Sequence, residues 1–184
     1  MSWDMQDLSS SNGKLLLEYA RQAIANHLEG QRAPVVPSAL KEILLCRGCF
    51  VTLKKQNRLR GCIGTFDDKQ PLIDNVRQMA VAAATEDFRF PPVLYSEIAQ
   101  IKIEISILGE LRKMNSIQEL KIGKHGIIVS KGGYSGTYLP QVATEQGWTA
   151  EKFVQHCACQ KAGIPLAEVS EAEVFLYEIQ KFSD

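Results

Sequence analysis

The chain of 184 residues has the size of one globular domain, or of one domain with two lobes. Its 21 basic and 21 acidic residues balance, which disfavours a general nucleic-acid binder, because such proteins usually carry a basic face. No signal-peptide pattern opens the sequence, and no apolar run approaches the roughly 18 residues of a membrane span. We therefore expect a cytoplasmic protein whose five cysteines are reduced thiols.

The amino-terminal part of the chain predicts a loose segment followed by a helix. Residues 1–11 are polar and are interpreted as a loose terminus, which precedes a single folded domain with two subdomains at 12–184. Apolar residues at helical spacing predict a helix that ends near Glu29. Ser11 or Asn12 is expected to cap its first turn, because a serine or asparagine side chain can accept a hydrogen bond from a free backbone N–H.

The rest of the chain alternates between strands and helices. Strand-forming runs on either side of polar or glycine-rich turns predict two hairpins, at 50–65 and 126–139. Isoleucines at alternate positions from Ile101 to Ile107 predict a strand with one face in the core. Caps, prolines and apolar patterns predict helices at 38–45, 71–86, 116–120, 140–146 and 150–162, and a final strand at 174–179. This order favours an α+β fold with an antiparallel sheet flanked by helices, rather than a doubly wound parallel sheet.

The most informative stretch is Leu59-Arg60-Gly61-Cys62-Ile63-Gly64-Thr65-Phe66, on the returning strand of the first hairpin. Alternate residues of a strand share a face, so Arg60 should lie about 7 Å along the strand from the Cys62 thiol. A nearby cation favours the thiolate. Gly61 and Gly64 leave room for a backbone, a ligand or a partner. The stretch indicates a catalytic or binding site; the alternative is a packing cysteine between glycines that mark bends.

Two further residues outside this stretch are candidates for a site. His125 is the best candidate for a general base, because imidazole titrates near neutral pH, and a structural histidine is the alternative. Arg89 follows a helix in a charged segment, where it can pair with Asp87 or Glu86 or face a site. The sequence motifs of NTPases, dinucleotide-binding proteins and common hydrolases are not found in this chain.

The remaining cysteines form two close pairs, Cys46 with Cys49 and Cys157 with Cys159. A four-cysteine zinc site would need both pairs, but C-x-C is a poor chelating spacing, and residues two apart on a helix diverge. Small packing residues are the better interpretation of these cysteines, with the zinc site as the alternative. We therefore expect neither a metal nor a cofactor.

LRGCIGTF is similar to the hallmark of the AMMECR family, named for a human chromosomal region linked to Alport syndrome, midface hypoplasia and elliptocytosis. Three further motifs agree in order and spacing: DFRFPP at 87–92, GKHGI at 123–127, and TYLPQVA running on to EQGW at 137–148. The resemblance runs from about Leu15 to Phe182. The short chain and the segment Lys161–Pro165 look more like the bacterial and archaeal members, often called AmmeMemoRadiSam system protein A.

The resemblance implies two unequal lobes with a cleft, with the LRGCIG stretch near that cleft and the loop around Arg89 as a second wall. It suggests an enzyme or accessory protein that acts through Cys62, with Arg60 binding an anionic group and His125 as the base. Its expected partners are MEMO-type and radical-SAM proteins. The chain lacks C-x-x-x-C-x-x-C, so it would not itself hold the iron–sulfur cluster.

The alternative function is a non-catalytic protein-binding or regulatory module. The LRGCIG stretch would then form a docking groove, with Tyr138, Trp148 and Phe90 as apolar anchors. Nucleic-acid binding is a less favoured third interpretation, because its support is confined to the basic residues of the hairpin at 54–60.

Overall fold

The structure is a computed structural model that describes residues 8–41, 43 and 45–184. The helices are α1 (Ser10–Leu28), α2 (Ser38–Lys41), α3 (Leu72–Thr85), α4 (Pro140–Gln146) and α5 (Ala150–His156). The strands are β1 (Cys49–Lys55), β2 (Arg58–Thr65), β3 (Ile101–Leu108), β4 (Arg112–Lys113), β5 (Gly126–Lys131), β6 (Tyr134–Tyr138), β7 (Glu173–Tyr177) and β8 (Ile179–Ser183). Short 3₁₀ turns lie at Tyr95–Gln100, Ile117–Glu119 and Leu166–Glu171.

The described chain divides into two compact units of unequal size, each built around its own four-stranded sheet. The larger unit contains residues 8–108 and the carboxyl-terminal residues from Gln180, and the smaller unit contains Gly109–Ile179. The strand orders are β2-β1-β3-β8 and β4-β7-β5-β6. These antiparallel sheets with their helices confirm the predicted α+β fold, and the cleft that the resemblance implies stays a prediction. None of the described helices is long and apolar enough to cross a membrane.

In the larger unit the core lies between one face of the sheet and the helices α1 and α3. Alternate residues of β1 and β3, such as Val51 and Ile103, are fully buried and pack in one cluster with Leu16 and Val76 from the helices. This is the period-two pattern of a strand meeting the 3.6-residue pattern of a helix. The isoleucine repeat of β3 therefore faces the core, as predicted.

Two helix boundaries in this unit differ from the prediction. The cap of α1 is Ser9, whose Oγ accepts from the Asn12 N–H at 3.2 Å, so the helix begins at Ser10 rather than after Ser11. Residues 10–11 of the predicted loose terminus are therefore helical, and residues 1–7 lie outside the described part. Of the helix predicted to reach Leu45, the structure shows Ser38–Lys41 as α2, and residues 42 and 44 lie outside the described part. The Leu45 carbonyl accepts from the Leu72 N–H at 2.8 Å.

In the smaller unit the core lies against β5 and β7 and includes Ile127, Phe153, Cys157 and Leu176. The helix predicted through Ala162 is α-helical only to His156 and continues as one π-helical segment, Cys157–Ala162. The single strand predicted at 174–179 is divided between the two sheets. Its first part is β7, its last residue begins β8, and the Glu178 carbonyl between them accepts from the Gly109 N–H at 2.8 Å.

Candidate functional site

The LRGCIG stretch lies on β2, an edge strand that follows a tight turn. Gln56 and Asn57 form this turn with φ of 51° and 60°, the left-handed conformation of a two-residue hairpin loop. The register then shifts, since Leu53 lies opposite Gly61 and Lys54 lies opposite Leu59. This bulge interrupts the regular alternation from which a shared face for Arg60 and Cys62 was predicted.

The two glycines of the stretch are sites of close packing within the chain itself. A Cβ at Gly61 would overlap the carbonyl oxygen of Ala83, so the missing side chain lets α3 lie against the strand. A Cβ at Gly64 would overlap the ring of Phe50 on the neighbouring strand. The room predicted at these glycines is therefore taken by the chain's own helix and ring.

Asp87 holds the segment after α3 against the edge of β2. Its buried carboxylate accepts from the Cys62 N–H at 2.8 Å and from Arg89 Nε and Nη2 at 2.8 and 2.6 Å. Arg89 Nη2 also donates to the Cys62 carbonyl at 3.4 Å. The hydrogen bonds from Arg89 lower the pKa of Asp87 to about 2. Arg89 therefore makes the predicted internal pair with Asp87, and together they occupy an edge that would otherwise be open to another strand.

Glu97, ten positions after Asp87, forms a second attachment point in the first turn of the 3₁₀ segment Tyr95–Gln100. Arg60 donates to its carboxylate at 3.0 Å and to the carbonyls of Pro91 and Pro92 at 2.8 and 3.2 Å. Lys55 donates to the same carboxylate at 2.8 Å. These bonds, led by the one from Arg60, lower the pKa of Glu97 to about 2. The Arg60 side chain is therefore mostly buried and holds the loop, and its contact with an anionic group stays a prediction.

Between these two attachment points the chain exposes apolar side chains, and we call residues 87–97 the clamped loop. Phe88 is 95% exposed and Leu94 and Tyr95 are more than half exposed. An open depression of about 580 Å³ lies beside the loop, lined by Lys55, Arg60, Pro91, Pro92, Leu94, Ser96, Glu97 and Gln100. Sequence reasoning named Phe90 but missed Phe88. The two prolines that end the helix pattern beside two phenylalanines were the signal that could have found it.

Cys62 is partly exposed, and its Sγ lies 3.2 Å from Thr52 Oγ1 on the adjacent strand. Cys49 and Cys157 are fully buried, and burial raises the pKa of each thiol to about 12, which suits packing residues. Cys46 and Cys159 are more accessible. Within residues 8–41, 43 and 45–184, no three His, Cys, Asp or Glu side chains are grouped so that they could hold a metal ion.

His125 lies in the smaller unit at the start of β5, where it is 4% exposed. Its Nδ1 accepts from the Lys121 N–H at 3.2 Å, and its Nε2 lies 3.6 Å from Glu178 Oε1. Burial lowers the pKa of the imidazole, which favours the neutral form near pH 7. These contacts are those of the structural alternative, and the role of His125 as a general base stays a prediction.

Tyr138 and Trp148 also belong to the smaller unit, where both are half-buried and pack on its core. The Tyr138 ring stacks on Phe153 with centroids 5.9 Å apart, and its hydroxyl donates to Gln160 at 3.0 Å. Trp148 stacks on His156 at 4.2 Å. Much of the ring surface of both predicted anchors is therefore covered by internal packing. Their contact with a partner stays a prediction.

Lys54, Lys55 and Arg60 of the basic hairpin all form ion pairs. Lys54 pairs with Glu104 at 2.6 Å, while Lys55 and Arg60 both pair with Glu97. These carboxylates reduce the positive field that a nucleic-acid phosphate would meet. The hairpin therefore adds little support to the third interpretation.

Comparison with known proteins agrees with the motifs. The AMMECR1 family model matches residues 17–182. A Methanothermobacter thermautotrophicus protein is 41% identical over 180 residues, covering 94% of this chain and 93% of its own length. A Methanopyrus kandleri protein is 38% identical over 190 residues, covering 97% and 91%.

A solved structure is similar along nearly the whole chain. The crystal structure of an uncharacterised protein from Pyrococcus horikoshii matches with a TM-score of 0.88 at 32% identity, covering 96% of this chain and 93% of that one. The resemblance first seen in four short motifs is thereby confirmed over both units. The chain belongs to the AMMECR1 family.

Proposed function

We propose that this protein is a protein-binding module that docks a partner on the clamped loop. The observation that carries the proposal is the 95% exposure of Phe88 on a segment fastened by the carboxylates of Asp87 and Glu97. Several apolar side chains exposed on one segment are typical of protein-interaction sites, and aromatic anchors dominate the energy of many interfaces. The partner we propose is a folded protein with an apolar pocket that receives Phe88.

The hydrogen bonds that fasten the loop support this role. A loop that is already ordered loses little conformational entropy when it binds, so more of the contact energy appears as affinity. The Cys62 N–H of β2 donates to Asp87 at 2.8 Å, and the Leu94 N–H within the loop donates to Glu97 at 3.0 Å. In this proposal the LRGCIG strand acts as the support of the docking surface, through the backbone of Cys62 and the side chain of Arg60.

The partners to test first are the MEMO-type and radical-SAM proteins to which the family resemblance points. Binding of each purified protein to the full chain would be measured by biolayer interferometry, with Phe88→Ala as the test variant. The matched control is Tyr134→Ala, which removes an aromatic side chain that is 65% exposed on the hairpin of the smaller unit. We expect Phe88→Ala to weaken binding about thirtyfold, the effect of a hot-spot residue, and Tyr134→Ala to leave it unchanged.

Two results would contradict this proposal. Equal affinities for the wild type and Phe88→Ala would remove the clamped loop from the interface. An equal loss in Tyr134→Ala would show that any exposed aromatic side chain contributes, so the clamped loop would have no special role. Failure of both candidate proteins to bind at micromolar concentration would overturn the choice of partners.

Thiol chemistry at Cys62 is the second candidate function. It is favoured by the partial exposure of this cysteine and by the Thr52 hydroxyl 3.2 Å from its sulfur. In this proposal Arg60 would be the nearby cation. Alkylation of all five cysteines would be followed across pH by peptide mass spectrometry, in the wild type, Arg60→Ala and Thr52→Val.

For this second candidate, we expect Cys62 to react faster than the exposed Cys46, at a rate that falls in Thr52→Val. A Cys62 that reacts no faster than the buried Cys49 and Cys157 would contradict it. In that case the docking function would stand alone.

A further inference from the structure

The depression beside the clamped loop carries more positive than negative charge. Lys55 and Arg60 both line it, and they share a single carboxylate, that of Glu97, at 2.8 and 3.0 Å. One elementary charge is therefore uncompensated among the residues that line the depression. Arg60 directs its guanidinium to Glu97 and two carbonyls, whereas the Lys55 ammonium has three donors and is partly exposed. A ligand carboxylate would therefore meet the ammonium of Lys55.

The other residues of the depression are suited to an apolar neighbour of that carboxylate. Pro91, Pro92 and Leu94 provide an exposed apolar rim, and Ser96 and Gln100 add groups that can form hydrogen bonds. One excess charge beside an apolar rim suits a carboxylate on a partly apolar chain. It suits a polyphosphate backbone less well, since nucleic-acid binding depends on several cations placed along the phosphates.

We propose that this depression binds an acidic, partly apolar peptide segment of the partner, with a carboxylate at Lys55 and an apolar side chain against Pro92 and Leu94. This inference rests on the proposed docking function and specifies the chemistry of the segment that lies beside Phe88. In an extended peptide, side chains alternate about every 3.3 Å along the chain. A segment that alternates leucine and glutamate therefore presents both kinds of group within a few residues.

The hairpin contains a closely matched control for the charge. Lys54 shares Glu104 with Lys181, at 2.6 and 2.9 Å, just as Lys55 shares Glu97 with Arg60. The side chains of Lys54 and Lys55 are 34% and 31% exposed. Lys54 is not among the residues that line the depression. Lys54→Gln and Lys55→Gln thus remove the same charge from similar environments, at different distances from the proposed ligand.

The test uses an N-acetylated octapeptide of alternating leucine and glutamate, with the leucine–glutamine octapeptide as the comparison probe. Binding to the full chain would be followed by amide chemical shifts in NMR, at Ser96 and Gln100 in particular. We expect the acidic peptide to shift these amides. Lys55→Gln should weaken its affinity about fivefold, as for a partly exposed ion pair, whereas Lys54→Gln should change it by less than about 1.5-fold, because Lys54 pairs with Glu104 and does not line the depression.

Several outcomes would overturn the inference. These are the absence of shifts with the acidic peptide, equal affinity for the leucine–glutamine peptide, equal effects of the two lysine substitutions, and displacement of the peptide by an equimolar thymidine oligonucleotide. Leu94→Ser provides a second variant, which should weaken binding of the acidic peptide without altering the charge of the depression. If Phe88→Ala lowers the affinity for a partner protein while Lys55→Gln does not, the docking function stands and the proposed binding of an acidic segment is wrong.

Discussion

The hairpins β1–β2 and β5–β6 have the same local design in the two units. Each has a two-residue turn with positive φ, which is 51° and 60° at Gln56 and Asn57, and 57° and 88° at Gly132 and Gly133. Each returning strand lies at the edge of its sheet. Each of these strands also carries a glycine that lets helical backbone approach: Gly61 against α3 in the larger unit, and Gly136 against the π-helical segment in the smaller unit.

The hairpins differ in what lies against the returning strand. On β2, Asp87 and Arg89 bond the backbone of Cys62 and leave apolar residues such as Phe88 in water. On β6, the Tyr138 ring stacks on the buried Phe153. A glycine in the returning strand is therefore a packing device in both units. Beside β2 polar groups hold the neighbouring segment, and its Phe88 stays exposed, whereas Tyr138 of β6 makes an aromatic contact with the core.

The largest effect expected at the returning strands tests what the two hairpins share. Gly61→Ala and Gly136→Ala should each lower the free energy of unfolding by about 3 kcal/mol, because the added methyl group would overlap helical backbone. Gly64→Ala is the control, with an expected cost of about 1 kcal/mol, since the overlapping atoms belong to the ring of Phe50, which can move. Urea unfolding followed by circular dichroism measures all three, and a midpoint unchanged in Gly61→Ala would contradict the packing role.

The next effect tests the feature that distinguishes β2. Asp87→Asn should lower the free energy of unfolding by about 2 kcal/mol, because the amide loses the charge-assisted hydrogen bonds with Arg89 and one acceptor for the Cys62 N–H. Hydrogen exchange of the Cys62 amide should be faster in Asp87→Asn than in the wild type. An unchanged exchange rate would show that another group holds this edge.

Acid should weaken the bonds that Asp87 and Glu97 make to hold the clamped loop. The pKa of Asp87 and of Glu97 is about 2 in the folded protein, below the ordinary values of about 4. Protons therefore bind the unfolded chain more tightly, and the stability that these carboxylates contribute is present above about pH 4 and is lost as the pH falls towards 2. Melting temperatures between pH 5 and pH 2.5 should fall less steeply in Asp87→Asn than in the wild type, and parallel curves would contradict this.

A smaller effect is expected at the corresponding position of the second hairpin. The Thr137 hydroxyl donates to the Ile127 carbonyl at 2.8 Å and lies 2.8 Å from the Tyr177 hydroxyl. Thr137→Val keeps the shape and removes these bonds, which should cost about 1 kcal/mol of unfolding free energy. A loss as large as that of Asp87→Asn would show that these hydroxyl bonds stabilise the fold as much as the Asp87 carboxylate does.

The smallest effect on stability is expected at the exposed residue itself. Phe88→Ala should change the free energy of unfolding by less than about 0.5 kcal/mol, because the side chain makes little internal contact. Phe153→Ala, at a fully buried position, should cost about 4 kcal/mol. A clear destabilisation in Phe88→Ala would mean that the ring supports the fold, which would weaken the proposed docking role.

Local sequence signals determined the elements with strong boundaries. Pro140 and Gly147 predict the limits of α4, because proline suits the first turn and glycine adopts the left-handed cap with φ of 63°. Strand-forming residues on either side of Gln56 and Asn57 predict the first hairpin, because two short β-forming runs separated by two polar residues favour a tight turn. These signals act between residues that are close in the sequence, so they can be read without knowledge of the packing.

Tertiary structure decided the features that depend on distant residues. The role of Arg60 depends on Glu97, which lies 37 positions away, and the backbone of Cys62 is held by Asp87, 25 positions away. The sequence predicted the site at LRGCIG and offered both an internal and an external partner for Arg89. The choice between them, the bulge at Arg60 and the exposure of Phe88 depend on how a strand, a helix and a loop pack together. These features depend on contacts that form only when the chain folds. The motif could therefore be recognised in the sequence, whereas its role in supporting the loop could not.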